Sequence, residues 1–302
     1  MQPGARARST TAAGGILVLP AVLALAAVCL THAATPSFLW KATSKSGGSA
    51  YLVGSVHLLS QDYYPLNPAL DAAFKDSTLL VEEVDMAEML ASSAQLDMLT
   101  RGMLPGTQTL DRVVSPDTIA LVDKTIAGLG LPAGPLKRFK PWMLALTLLG
   151  LEWQKAGFDP DLGIDRHFYD QARSEGKPVQ GLETLAYQLS RFDEMSAADQ
   201  DRLLFESLKE LGTEMASVRT LADAWKVGDA ATVERIVLED LKAEPLLYQR
   251  LLVERNRNWF PQIEALLARP GRAMIVVGAA HLVGPDGLLS MLRAAGYTVE
   301  QL

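Results

Sequence analysis

The stretch Ala50–Leu59, "AYLVGSVHLL", runs apolar through Val53 and then breaks into Gly54, Ser55, Val56 and His57. About 220 residues later, "AMIVVGAAHLVG" at 273–284 repeats the arrangement with Gly278 and His281. Apolar runs with little period-two alternation are expected of strands covered on both faces. A glycine at the end of such a run lets a ligand or a second chain segment come close. The three-residue step then puts each imidazole in the loop beyond its strand. In open α/β sheets ligands collect at that carboxyl edge. The two runs therefore predict two strands that each deliver a histidine to one edge of a sheet.

The rest of the chain fits that frame. "STLLVEEVD" at 77–85 is a third dense apolar run, and "GKPVQGLE" at 176–183 and "YTVEQL" at 297–302 are shorter strand candidates. Between them lie helical stretches with readable ends. Ser115, Pro116 and Asp117 supply an N-cap, a first-position proline and an acid in the first turn, and Gly128 to Pro132 stops that helix. Ser196 with Asp199 opens another. Residues 86–175 and 196–268 are predicted to be mostly helical. No internal repeat and no Pro-, Gly- or Ser-rich linker divides residues 35–302. The expectation is one α/β domain over 35–302: a central mixed, largely parallel sheet flanked by helices, with a long helical middle section.

Four strand-end side chains carry chemistry: His57, Glu83, Glu183 and His281. Side by side they offer nitrogen and oxygen donors for zinc, manganese, cobalt or iron, with room for a water. Ser55 and the backbone N–H groups after Gly54 and Gly278 are candidate anion or oxyanion contacts. Glu82 and Glu83 are consecutive on a strand and point to opposite faces, so at most one is expected in the site. Asp165 in "LGIDRHF" sits at a helix start and reads as an N-cap, and His167 reads as structural. "ERNRNWF" puts Arg255 and Asn256 on a helix, where the guanidinium is either solvated or set to grip a carboxylate or a developing negative charge.

The N-terminal 34 residues read differently. Arg6 and Arg8 precede the apolar run "ILVLPAVLALAAVCL" (16–30), and the small residues of "THAATPS" follow it. This is the pattern of a secretory signal cut near Ala33 or Ala34, which predicts an exported, periplasmic or secreted protein with no stable membrane span after processing. Loss of the two arginines and no acid takes the formal charge from −7 to −9. An acidic chain without a basic run is a poor partner for nucleic acid. Its single cysteine, Cys29, leaves with the signal, so no disulfide is expected. The sequence contains no H-E-x-x-H, G-x-S-x-G, Walker or G-x-G-x-x-G motif, which disfavours the common metalloprotease, serine hydrolase and nucleotide-binding plans. A peptide or small-molecule substrate is the remaining expectation, with the oligomeric state open.

In order along the chain, "LVGSVHLLSQDYYPLNPALDAAFKDSTLLVEEVD", "KPWM", "LGIDRHFYDQARSEGKPVQGLETLAYQL", "LLVERNRNWFPQI" and "VVGAAHLVGPDGLLSMLRAAGYTVE" together resemble the TraB/PrgY/GumN family, which is similar to the Tiki proteases and more remotely to erythromycin esterase and ChaN-like proteins. The resemblance implies functional roles for Gly54 with His57, Gly278 with His281, Glu83 with Asp85, Glu183, and Arg255 with Asn256. It implies a metal-dependent peptidase in which His57, His281 and Glu83 (or Glu183) hold a zinc, manganese or cobalt ion. The ion would acidify a bound water, the remaining carboxylate would take its proton, and Arg255 or backbone N–H groups would steady the oxyanion. The erythromycin esterase likeness equally permits a metal-free pathway in which a histidine and glutamate activate water. A non-catalytic pocket for a peptide signal or a haem-like ligand is the alternative of a different class.

Overall fold

A computed structural model describes residues 36–211 and 215–302. Six strands form one sheet: β1 (Leu39–Thr43), β2 (Ser49–Ser55), β3 (Leu79–Val84), β4 (Val179–Glu183), β5 (Ala273–Gly278) and β6 (Thr298–Gln301), in the order β4-β3-β5-β2-β1-β6. The pairs β2–β5, β3–β5 and β3–β4 are parallel, while β1 pairs antiparallel with β2 and β6. This is the mixed, largely parallel sheet expected from the apolar runs. Every residue of β2 and of β5 is buried, which is why those runs lack alternation. β1, by contrast, went unread in the sequence. Its five residues "LWKAT" include Lys41 and give too short and mixed a run to stand out.

Helices cover both faces of the sheet and build the long middle section. The Pro116–Leu129 helix is capped as its sequence predicts: Ser115 accepts from the Thr118 N–H, and Gly130 closes the helix in the left-handed conformation. Ser196 likewise caps Ala197–Glu210 by accepting from the Asp199 N–H. Between these helices and Pro141–Lys155, Leu110, Val122, Leu144, Leu148, Leu204 and Leu208 make an apolar cluster apart from the core beneath the sheet. No helix among the described residues is long and apolar enough to cross a membrane. The N-terminal signal expected over 1–34 lies outside the described residues.

Two local features position the chemistry. The loop after β2 is pinned to the start of the Ile164–Glu175 helix: the Ile164 N–H donates to the Val56 carbonyl at 3.1 Å, and Leu59 and Asp159 exchange backbone bonds of 3.2 and 2.8 Å. A Cβ on Gly163 would lie 2.2 Å from the His57 carbonyl oxygen, so only glycine allows the helix to begin there. The second feature is a π-helical turn, Gln249–Val253, leading into the Glu254–Leu267 helix. Just beyond it the consecutive residues Arg255 and Asn256 are both buried.

Candidate active site

The carboxyl ends of β2, β3, β4 and β5 lie side by side and bring His57, Glu83, Glu183 and His281 together, joined by Arg255 and Asn256 from the Glu254–Leu267 helix. Arg255 is the hub. Its Nη2 donates to Glu83 Oε2 at 2.5 Å and to Glu183 Oε1 at 2.7 Å, its Nε donates to Glu183 Oε1 at 3.0 Å, and its Nη1 donates to His281 Nε2 at 3.0 Å and to the Leu251 carbonyl at 3.2 Å. The guanidinium is thus spent on the protein's own groups, and the sequence-based expectation that it grips a substrate carboxylate finds no free donor here.

Glu83 is equally enclosed. One oxygen accepts from the Gly278 N–H at 2.7 Å, and the other takes the Gln188 amide at 3.1 Å beside Arg255. Burial pushes its carboxyl up, but the charge of Arg255, with smaller contributions from His281, His57 and the Gly278 N–H, outweighs burial and holds it well below the usual carboxylate range. Glu183 accepts from Trp259 Nε1 at 2.9 Å as well as from Arg255, yet burial leaves its carboxyl raised. Arg255 therefore serves two neighbouring carboxyls of different acidity.

The two histidines differ. His281 is buried. Its Nδ1–H donates to Asn256 Oδ1 at 2.7 Å, and its Nε2 accepts from Arg255. Asn256 is itself oriented by donating to the His281 and Asp286 carbonyls at 3.2 and 2.9 Å. Burial and then Arg255 lower the His281 pKa to about 3, so the ring stays neutral. His57 has 59% of its side chain exposed, and its Nδ1–H donates to Asp165 Oδ2 at 2.8 Å. Asp165's charge raises the His57 pKa above the ordinary 6.5, and Glu83 adds to the effect. Its Nε2 has no hydrogen-bond partner among the described residues and faces Glu83. A Cβ on Gly278 would lie 3.3 Å from that nitrogen, 3.2 Å from Glu83 Oε1 and 3.7 Å from His281 Cδ2. Gly278 thus keeps open the space where the three side chains converge.

Asp165 is the residue that sequence reasoning misassigned. Gly163, not Asp165, is the N-cap of Ile164–Glu175, and the Asp165 side chain turns back to His57. The available signal was Gly163, which allows the helix start to lie against the His57 backbone. Gly54 does not line the site: a Cβ there would strike Phe38 at 2.4 Å, and its carbonyl accepts from Trp225 Nε1. Ser55 Oγ is buried without a partner among the described residues. His167 packs against the rings of Tyr64 and Phe168.

A cleft of about 420 Å³ opens beyond the strand ends, with His57, Glu82, Glu83, Asp165 and Gln188 among its polar lining and Met86, Met89 and Leu90 among its apolar lining. Glu82 and Glu83 do diverge, one toward Asp165 and one onto Arg255, yet both reach the cleft because it lies past the end of β3. This corrects the expectation that only one of them belongs to the site. Glu82 is 2% exposed, its Oε1 has no partner among the described residues, and burial, with Asp165 nearby, raises its pKa to about 8. A second cavity of about 470 Å³ lies between the middle helices around Leu203, Leu241 and Leu246; its Arg202 and Glu244 are paired at 2.7 Å.

As arranged, the side chains do not make a metal cradle. His281 Nε2 and one Glu83 oxygen are both committed to the Arg255 cation, the other Glu83 oxygen takes Gly278, and no group of three His, Cys, Asp or Glu among the described residues is set to hold an ion.

Residues 38–301 match the model of the TraB/PrgY/gumN family, and the chain belongs to that family. It is 26% identical over 245 residues to "Uncharacterized protein YbaP" of Shigella flexneri, covering 81% of this chain and 88% of the relative, and 26% identical over 244 residues to the Escherichia coli (strain K12) protein of the same name, covering 80% and 87%. It is 22% identical over 263 residues to an "Uncharacterized protein" of Treponema pallidum (strain Nichols), covering 82% and 77%. No solved structure matches.

Proposed function

We propose that the chain is a hydrolase of peptide or ester bonds in which His57 is the acid–base and Asp165 its orienting partner. The observation that carries this reading is the 2.8 Å Asp165–His57 contact, which fixes Nδ1 as the protonated nitrogen and leaves Nε2 at the wall of the cleft. In the neutral ring, Nε2 takes a proton from water while the water oxygen bonds to the carbonyl carbon. Asp165 and Glu83 stabilise the imidazolium that forms, and Nε2–H then protonates the departing amine or alkoxide as its bond to carbon breaks. His281, held neutral by burial and Arg255 and oriented by Asn256, keeps the Arg255 fork in register and so fixes Glu83 beside His57. Because His57 is more basic than usual, the neutral fraction grows with pH, and the rate rises through a limb centred above pH 6.5.

A screen of unstructured peptides and activated esters, with and without a chelator, tests the reading. His57→Ala should cost ~10²–10⁴-fold in kcat/KM, and Asp165→Asn should lower kcat and move that rising limb down toward pH 6.5. Hydrolysis that survives His57→Ala overturns the assignment. Activity abolished by chelation and restored by zinc, manganese or cobalt replaces it with the metal-dependent mechanism, which requires Arg255 to withdraw from His281. A Soret band on adding haem, with no turnover, replaces it with the binding reading. The proposal includes export of the chain, with cleavage near Ala33 or Ala34; intact mass of the exported protein tests this, and retention of residues 1–30 contradicts it.

A further inference from the structure

The Met86–Leu90 helix forms the apolar side of the cleft and buries none of its own residues. Met89 is 37% and Leu90 41% exposed, and on the next helix, Ser92–Gly102, Leu96, Met98 and Leu99 are 65%, 39% and 47% exposed. Five of the nine exposed large apolar side chains among the described residues therefore fall within eleven positions that begin at the cleft. A concentration of this kind on an otherwise ordinary surface marks a binding surface. It is also too long for a small molecule alone. The Ser92–Gly102 helix is about 16 Å long at ~1.5 Å per residue, the reach of roughly five residues of extended peptide.

The polar side of the cleft states which partner suits it. Glu83, Asp161 and Asp165 line it, and its cation Arg166 is already paired with Asp170 at 2.8 Å and Asp161 at 3.4 Å. Arg255 behind them is saturated. Acidic side chains thus outnumber the cations Arg166 and His57 along this wall, which makes it a poor setting for a phosphate, a fatty-acid carboxylate or an acidic side chain. The apolar strip carries Glu88 and Asp97, and its Arg101 is paired with Asp97 at 2.8 Å, so it has no charge to attract an anionic lipid surface. Methionines at the mouth adapt to several apolar shapes, which favours breadth over a single side chain.

We propose that this cleft takes an extended polypeptide, seating a bulky apolar residue of it against Met86, Met89 and Leu90 beside the reacting carbonyl, and disfavours acidic residues at that point. The inference names the substrate of the site proposed above and rests on that cleft being where the reaction occurs.

The test reads binding separately from cleavage. Fluorescein-labelled decapeptides with one Gly/Ser frame and a central Leu-Leu, Ser-Ser or Asp-Asp are titrated by anisotropy against the full chain and against the double variant Met89→Gln/Leu90→Gln. The Leu-Leu peptide should bind about tenfold tighter than Ser-Ser, and Asp-Asp weakest. The double variant should lose that preference. Met89→Leu/Leu90→Met, which keeps the apolar surface, should retain the preference and shows that a loss is not misfolding. Equal affinity for the three peptides overturns the proposal, as does an unchanged preference in the Gln variant. Co-sedimentation with phosphatidylcholine vesicles or a concentration-dependent dimer, either one abolished by the Gln variant without any peptide preference, also overturns it. Mass spectrometry of the same mixtures keeps the two ideas apart. Selective binding without cleavage removes the hydrolase reading and leaves this one, whereas cleavage indifferent to the central pair removes this one and leaves the hydrolase.

Discussion

The two Gly-x-x-His segments are alike in sequence and sit at the ends of neighbouring parallel strands, with Ser55 opposite Gly278. Their histidines nevertheless live in opposite electrostatic worlds. His57 is exposed on a loop and paired with a carboxylate, which favours its charged form. His281 is buried, and burial together with the Arg255 guanidinium forbids it. The glycines differ as well: Gly54 makes room for Phe38, and Gly278 makes room for the site. A repeated motif thus records a repeated strand-to-loop geometry and not a repeated role. The role is assigned by what the helices bring: Asp165 from Ile164–Glu175 to one ring, Arg255 and Asn256 from Glu254–Leu267 to the other.

The largest expected effect comes from removing the group that separates them. Arg255→Met leaves Glu83 and Glu183 buried without their cation and should destabilise the fold by ~3–5 kcal/mol in a denaturant titration. Arg255→Lys should not restore it, because one ammonium cannot serve both carboxylates and His281. A loss below about 1 kcal/mol would show that the hub is not holding the site together.

Next in size is the contrast between the histidines themselves. His281→Ala strands Asn256 and one Arg255 donor and should cost ~1–3 kcal/mol. His57→Ala removes a ring that is 59% exposed but leaves the buried Asp165 carboxylate without that partner, and should cost ~1 kcal/mol, less than His281→Ala, while removing the proposed activity. The His281 contribution also has a pH signature. An unfolded imidazole binds a proton below pH 6.5, but the folded ring does so only near pH 3, so this part of the stability falls as pH falls through that window. Equal stability losses in the two Ala variants would erase the asymmetry.

Much of this site was legible in the sequence, and the remainder was hidden for identifiable reasons. The apolar runs of β2, β3 and β5 locate the sheet because burial on both faces leaves a compositional trace. His57, Glu83, Glu183 and His281 follow from standing at the ends of those runs. Asp165 was hidden because an acid in a first helical turn is ordinarily explained by capping, and its link to His57 spans 108 positions. The commitment of Arg255 was hidden for a similar reason: which of its donors stay free depends on where three strand ends meet in space. Glu82 was set aside by strand alternation, which holds within the sheet but does not govern a cleft beyond its edge.

Glu82 supplies a pH-dependent effect of its own. Above about pH 4.5 the unfolded carboxyl releases its proton, while the folded one keeps it to about pH 8, so the protein loses stability as pH rises through this interval. Glu82→Gln has no proton to lose and should gain stability over the wild type as pH rises from about 5 to about 8. A gain that is the same at both pH values would mean that Glu82 is ionised in the fold.

The asymmetry of the two imidazoles is tested most directly by a ring-nitrogen NMR titration of residues 35–302 from pH 4 to pH 10, in which only His57, His167 and His281 need assignment. His57 should titrate above 6.5 and move down toward it in Asp165→Asn, while His281 should stay neutral with its proton on Nδ1 across the whole range. Two rings titrating together near 6.5, or both shifting at once when one equivalent of zinc is added, would contradict the account.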